Sequence, residues 1–197
     1  MLITMIWIVV VIKMPLVGTP REQLAQVSDH WQMMNINFGI ALAIAPVYLY
    51  YQISYHRLLK QKNSILRITG FTLAGIYLIC ATVSYGSQLT ILPFYLNQQI
   101  SEMALTWFFY NQESFAYYIN QTGYALCGVS ILLIFGDLIL QKGWRRLLGV
   151  CFILSAVLSI LAHVGLLIGM PELNALTVIS GALVIPIAIL GFVEALL

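Results

Sequence analysis

Long apolar runs alternate with shorter polar segments along the whole chain, and the lengths of the runs predict spanning helices. A helix needs about 20 mostly apolar residues to cross roughly 30 Å of hydrocarbon. The pattern therefore predicts an all-α, polytopic membrane protein of about six transmembrane helices, folded as a single transmembrane domain over residues 1–197. The predicted helices lie at about 1–18, 36–55, 65–96, 122–140, 147–169 and 174–197.

Two longer polar segments separate the runs. The first, over about 19–35, alternates apolar and polar residues and predicts a short surface helix. The second, over about 97–121, is rich in aromatic residues, which concentrate at the membrane–water boundary. It predicts one or two short helices along the outer interface, acting as an anchor or as a lid over a site for an apolar or lipid-like ligand. The candidate aromatic lid consists of Trp107, Phe108, Tyr110 and Tyr117.

The composition excludes the soluble classes of protein. Hydrophobic residues make up 61% of the chain and charged residues 8%, against about 25% charged in an ordinary soluble domain. A soluble enzyme, a nucleic-acid binder and a disordered protein are therefore excluded. The net charge of +2 is too small to favour a polyanionic partner. The expected partners are membrane lipids and either further copies of the chain or other membrane subunits.

The charged residues predict an orientation in the membrane. Seven of the nine Lys and Arg residues flank the connections after the second and fourth runs, and such connections are cytoplasmic by the positive-inside rule. These seven against Asp137 and Glu194 give that side +5, whereas Arg21 against five acidic residues gives the other side −4. Both termini are then cytoplasmic. The seven basic residues are Arg57, Lys60, Lys62, Arg67, Lys142, Arg145 and Arg146.

Polar side chains inside the spanning segments are costly and mark candidate functional positions. His163, in the fifth run, is too short to reach the interface easily, and a histidine hydrogen-bonded between helices is its structural alternative. Lys13, Tyr85 and Gln88 lie in the outer halves of their helices. Together with His163 they form a candidate outer polar pocket, although Lys13 could instead extend to the headgroups.

Two further patterns concern ion pairing and metal chemistry. Asp137 lies five residues before Lys142, which predicts an ion pair at the inner end of the fourth helix, with Lys142 or alternatively with Arg145 or a basic residue across the bundle. His30, His56 and His163 show no metal-ligand spacing, so we expect no metal site and no cofactor.

A short stretch is similar to the rhomboid intramembrane proteases. Ser130 in Gly128-Val129-Ser130 would be the nucleophile and His163 its base, because such a pair can carry acyl transfer. The glycine that follows the nucleophile in that family is replaced here by Ile131. We therefore predict no catalytic residue.

The last part of the chain, over about 120–197, resembles uncharacterised bacterial multi-pass membrane proteins. The similarity lies in segments such as NQTGYALCGVS and SILAHVGLLIG. It implies a helical bundle in the bacterial cytoplasmic membrane and assigns no activity. Three functions remain: a binding or accessory subunit or sensor, which the lack of a catalytic motif favours; a small oligomeric transporter or channel; and an intramembrane enzyme acting on a lipid or apolar substrate.

Overall fold

The computed structural model describes residues 16–27, 29–56 and 64–196, and all regular structure in these ranges is helical. Most of the first predicted span, including Lys13, lies outside the described residues. The helices, in chain order, are α1 (Pro20–Gln26), α2 (Trp31–His56), α3 (Ser64–Leu89), α4 (Ile91–Asn97), α5 (Ser101–Trp107), α6 (Phe115–Phe135), α7 (Trp144–Leu167), α8 (Ala175–Ala182) and α9 (Val184–Leu196). Two 3-10 turns, Gly136–Leu140 and Pro171–Asn174, follow α6 and precede α8.

Five stretches of the described chain are long and apolar enough to cross a membrane. They match the second to sixth predicted spans, which confirms an all-α, helical membrane protein; the total of six spans stays a prediction. The five stretches are Trp31–Tyr55, Ile65–Asn97, Phe115–Leu140, Trp144–Leu167 and Glu172–Glu194.

The third of these stretches begins earlier than the hydrophobic pattern predicted, at Phe115 rather than at about 122. The buried side chain of Ser114 explains the difference, because its Oγ accepts a hydrogen bond from the backbone N–H of Tyr117 at 3.1 Å. Such a cap satisfies one of the free N–H groups in the first turn of a helix. Local capping therefore starts α6 within the polar segment.

The short helix predicted in the first polar segment is present as α1. Thr19 and Glu22 form a capping box, in which Glu22 Oε2 accepts from Thr19 N at 2.7 Å and Thr19 Oγ1 accepts from Glu22 N. Pro20, at the first helical position, has the backbone angle that a helix needs. Hydrogen bonds from Thr19 lower the pKa of Glu22. The bond from the backbone of Thr19 has the larger effect and the bond from its side chain the smaller one.

Two helix breaks lie three residues before a proline. The helix is interrupted at Thr90, between α3 and α4, and at Leu183, between α8 and α9. A proline has no N–H for the carbonyl four residues earlier, so Pro93 and Pro186 weaken the helix at these points. Pro93 lies inside α4, just after this break, whereas Pro46 remains inside α2, which is unbroken.

The described chain divides into two compact units. The larger unit contains residues 49–56, 64–77 and 121–196, and the smaller unit contains residues 16–27, 29–48 and 78–120. The prediction of a single domain stays a prediction.

Aromatic stacking and one close backbone approach hold the core of the larger unit together. The rings of Phe135 and Phe152 stack with centroids 4.5 Å apart, and Tyr55 lies edge-on to Phe135 at 5.8 Å. Phe135 and Phe152 have no exposed surface. A Cβ added to Gly149 would lie 2.7 Å from the carbonyl carbon of Leu138, so the 3-10 turn after α6 rests directly on α7.

Candidate functional site

A cluster of aromatic rings fills the smaller unit. The ring of Phe109 lies 5.5 Å from those of Phe38 and Tyr85, 5.7 Å from Tyr110 and 6.1 Å from Tyr117, measured between centroids. Tilted and edge-to-face pairs at such distances each contribute about 0.5–1.5 kcal/mol beyond the burial of their area. The cluster is a packed core in which the rings contact one another.

Gln88 joins α3 to the backbone of the aromatic segment. Its amide Nε2 donates to the carbonyl oxygen of Trp107 at 2.6 Å, and its Oε1 accepts from the N–H of Phe109 at 3.0 Å. The side chain is 1% exposed, and the same Nε2 also lies 3.0 Å from Ser87 Oγ. Both polar atoms of this candidate pocket residue are therefore engaged within the protein.

The four residues of the candidate aromatic lid also pack within the smaller unit. Phe108 has no exposed surface, and Trp107 lies edge-on to Phe115 at 5.2 Å. The hydroxyl of Tyr110 accepts a hydrogen bond from Asn37 Nδ2 at 2.9 Å. Burial raises the pKa of Tyr110 to about 12, and the hydrogen bond from Asn37 opposes that shift. Tyr117 completes the set through its contact with Phe109.

The residues of the candidate outer polar pocket fall in different parts of the chain. Tyr85 and Gln88 lie about one turn apart on α3 in the smaller unit. His163 lies on α7 in the larger unit and is half-buried. Lys13 is outside the described residues. The outer pocket of these four residues therefore stays a prediction.

A serine protease site of the rhomboid type would require a hydrogen bond between Ser130 and His163. Ser130 is fully buried on α6, and its Oγ has no hydrogen-bond partner within the described parts of the chain. The nucleophile–base contact of a serine protease is therefore not formed in this structure.

Three buried serines that the sequence analysis missed connect α7 to α8. Ser180 Oγ lies 3.0 Å from Ser155 Oγ and 2.7 Å from Ser159 Oγ, and it donates to the carbonyl oxygen of Ser155 at 2.9 Å. Hydroxyl groups commonly link helices within membranes. The spacing of Ser155 and Ser159, four residues apart and hence on one helix face, is a signal that could have revealed one side of this cluster.

A second buried polar group in the larger unit retains unused hydrogen-bonding capacity. Gln52 on α2 is fully buried, and its Nε2 lies 3.8 Å from Cys127 Sγ on α6. Gln52 Oε1 has no hydrogen-bond partner in the described residues, as is also true of Ser130 Oγ. Cys127 and Ser130 are three residues apart, which places them on neighbouring positions of one helix face.

The salt bridge of the larger unit joins the first turn of α7 to the end of α9. Arg145 binds Glu194 through two contacts, Nη2 to Oε1 at 2.7 Å and Nε to Oε2 at 3.0 Å. Neither Asp137 nor Lys142 takes part in this salt bridge, and both are exposed. The predicted ion pair of Asp137 with Lys142 stays a prediction.

Among the described residues, no group of three or more His, Cys, Asp or Glu side chains is placed to hold a metal ion. No protein-family model, curated protein or solved structure matches this chain.

Proposed function

We propose that this protein is an accessory subunit or sensor of the membrane, which acts through contacts of its helices with other membrane helices and with lipid. The observation that carries the proposal is the bonding of Gln88. Its two polar atoms hold the backbone at Trp107 and Phe109, so the polar and aromatic groups best placed for a ligand serve the packing of the smaller unit. A stable scaffold of this kind suits a protein whose partners bind on its outside.

The span Glu172–Glu194 offers the surface best suited to a partner helix. In its most apolar window of 18 residues, 17% of the residues are buried. The corresponding share in Phe115–Leu140 is 50%. Gly181 and Ala182 are exposed in this span, and a Cβ added to Gly181 meets nothing within 4 Å. Helices associate in membranes through small residues that let their backbones approach closely. This exposed face therefore supports binding of another membrane helix.

The proposal includes the finer topology. The chain has about six spans in the bacterial cytoplasmic membrane, both termini are cytoplasmic, and the aromatic segment lies along the outer interface. The distribution of charge supports this orientation, with +5 on the side of the two basic connections and −4 on the other. A C-terminal reporter that is active only in the cytoplasm should be active, and an inactive reporter would overturn the orientation.

Purification in mild detergent with retained lipid tests the accessory function. The wild-type chain, Gly181→Leu and Gly39→Leu are compared by quantitative mass spectrometry of protein and lipid. Gly39 is the matched control, because it is also exposed and an added Cβ meets nothing within 4 Å. We expect a membrane protein in stoichiometric amount with the wild type and the control, and its loss from Gly181→Leu. A chain that purifies alone in all three samples would contradict the proposal.

A small transporter or channel is the second candidate, and Gln52 is the observation that favours it. Unsatisfied polar atoms at membrane depth are costly and often line a pathway, and broken helices are typical of transporters. Gln52 Oε1, Ser130 Oγ and the break at Leu183 all lie in the larger unit. In proteoliposomes, a transporter would give a solute or ion flux that Gln52→Leu abolishes. Liposomes whose flux equals that of empty liposomes would exclude it.

A further inference from the structure

We propose that the connection between α6 and α7 binds an anionic phospholipid. Lys142 and Arg146 would contact its headgroup, and Leu140 and Leu147 its acyl chains. This inference rests on the lipid contacts in the proposed function and adds the class of lipid and its place on the protein.

The fold holds the two sides of this connection close together. Gly143 has a φ of +62°, a left-handed backbone angle that glycine adopts at little cost, and it directly precedes the first residue of α7. At Gly149 the 3-10 turn after α6 lies so close to α7 that no side chain fits between them. Leu140 is the last residue of that turn, and only Gln141, Lys142 and Gly143 separate it from the first turn of α7, which contains Arg146 and Leu147.

The charges of this surface favour an anion. Arg145 is engaged by Glu194 and lies 5.6 Å from the centre of the Trp144 ring. Lys142 and Arg146 are exposed and form no salt bridge with any described residue. Asp137 is the exposed acidic residue of the same connection, so these three exposed side chains, two cations and one carboxylate, carry a net charge of +1.

The apolar side chains beside these charges distinguish a lipid from a soluble anion. Leu140 is 80% exposed and Leu147 is 53% exposed, which is costly in water but favourable against acyl chains. Trp144, which lies between them in the sequence, is half-buried, and tryptophan is enriched at the level of the headgroups. A free phosphate would leave both leucines uncovered. A zwitterionic headgroup has no net charge to attract Lys142 and Arg146, whereas an anionic headgroup carries a net negative charge.

The test uses the full chain in nanodiscs that contain equal amounts of phosphatidylcholine and phosphatidylglycerol. After transfer to mild detergent, native mass spectrometry counts each lipid that stays bound. We expect preferential retention of phosphatidylglycerol by the wild-type chain and a fall of about ten-fold or more in the variant with both Lys142→Gln and Arg146→Gln. Asp137→Asn should raise the retention, because it removes the one carboxylate of this surface.

Arg21→Gln is the control for loss of positive charge. Arg21 is exposed and pairs with Glu102 in the smaller unit, so its loss should leave lipid retention unchanged. Added inorganic phosphate should not displace the lipid, and displacement would show a simple anion site instead. Equal retention of the two lipids by the wild type would overturn this inference and leave the proposed function standing. A double variant that behaves like Arg21→Gln would have the same consequence. If no lipid stays with the wild type, the lipid contacts of the proposed function fail as well.

Discussion

A Cβ placed on Gly128 would lie 2.8 Å from the backbone carbonyl oxygen of Ala156, so α6 and α7 approach each other backbone to backbone at this point. A carbonyl group of a helix cannot move aside as a flexible side chain can. Small residues at such crossings are the usual means by which membrane helices pack closely.

Gly128→Ala should therefore destabilise the protein by about 1–3 kcal/mol, the range for overpacked cores. The matched control is Gly75→Ala, because an added Cβ at Gly75 meets nothing within 4 Å and alanine favours a helix by about 0.5–1 kcal/mol. The free energy of unfolding, measured in mixed micelles, should fall for Gly128→Ala and should not fall for Gly75→Ala. Equal stability of the two variants would contradict the close approach.

Gln88→Leu should leave two part-buried backbone groups, the carbonyl of Trp107 and the N–H of Phe109, without their partner. A fully buried group left unsatisfied costs about 1–3 kcal/mol, so the expected loss for these two groups is at most about 2–6 kcal/mol. Gln98→Leu, at an exposed position, should change stability little. Amide exchange of Phe109 should also become faster in Gln88→Leu, and unchanged exchange would argue against this anchor.

Ser180→Ala removes the hydroxyl shared by Ser155 and Ser159. Hydrogen bonds between membrane helices contribute about 0.6 kcal/mol on average and at most about 1.7 kcal/mol, so we expect a loss of about 1 kcal/mol. The exposed residue Ser101 provides the control, Ser101→Ala, with no expected change. A double-mutant cycle with Ser159→Ala should show a coupling between the two hydroxyls. Strictly additive losses would contradict the cluster.

Tyr110 should make the protein sensitive to alkali. Its pKa is about 12 in the folded protein and about 10 when unfolded, so between these values the unfolded chain ionises first and stability falls as the pH rises. The loss attributable to this group is at most about 2–3 kcal/mol. The free energy of unfolding should be measured from about pH 9 to about pH 12, a range that contains both pKa values. It should fall more steeply with pH for the wild type than for Tyr110→Phe. Parallel curves would contradict the burial of this hydroxyl.

The spanning helices could be predicted from the sequence because each needs only a local run of apolar residues. The starts of helices were harder, since Ser114 caps α6 from within a polar segment. The breaks before Pro93 and Pro186 follow from a missing N–H, which is again a local property. Local physics thus accounts for most of the fold described.

The roles of polar side chains could not be predicted, because their partners are distant in the sequence. Gln88 was predicted as a pocket residue from its depth in the helix, and its hydrogen bonds to backbone atoms 19 and 21 residues away could not be derived from that pattern. Glu194 was assigned to the cytoplasmic side by its position alone, and its pairing with Arg145 depends on how α9 meets α7. Contacts of this kind depend on tertiary packing, about which hydrophobic patterning says nothing.

Quantitative mass spectrometry of the chain purified in mild detergent is the most direct test of the accessory function. We predict a second membrane protein at near-equal amount, together with bound phospholipid, and loss of the protein partner in Gly181→Leu but not in Gly39→Leu. Recovery of the chain without any protein partner in all three samples would contradict the account.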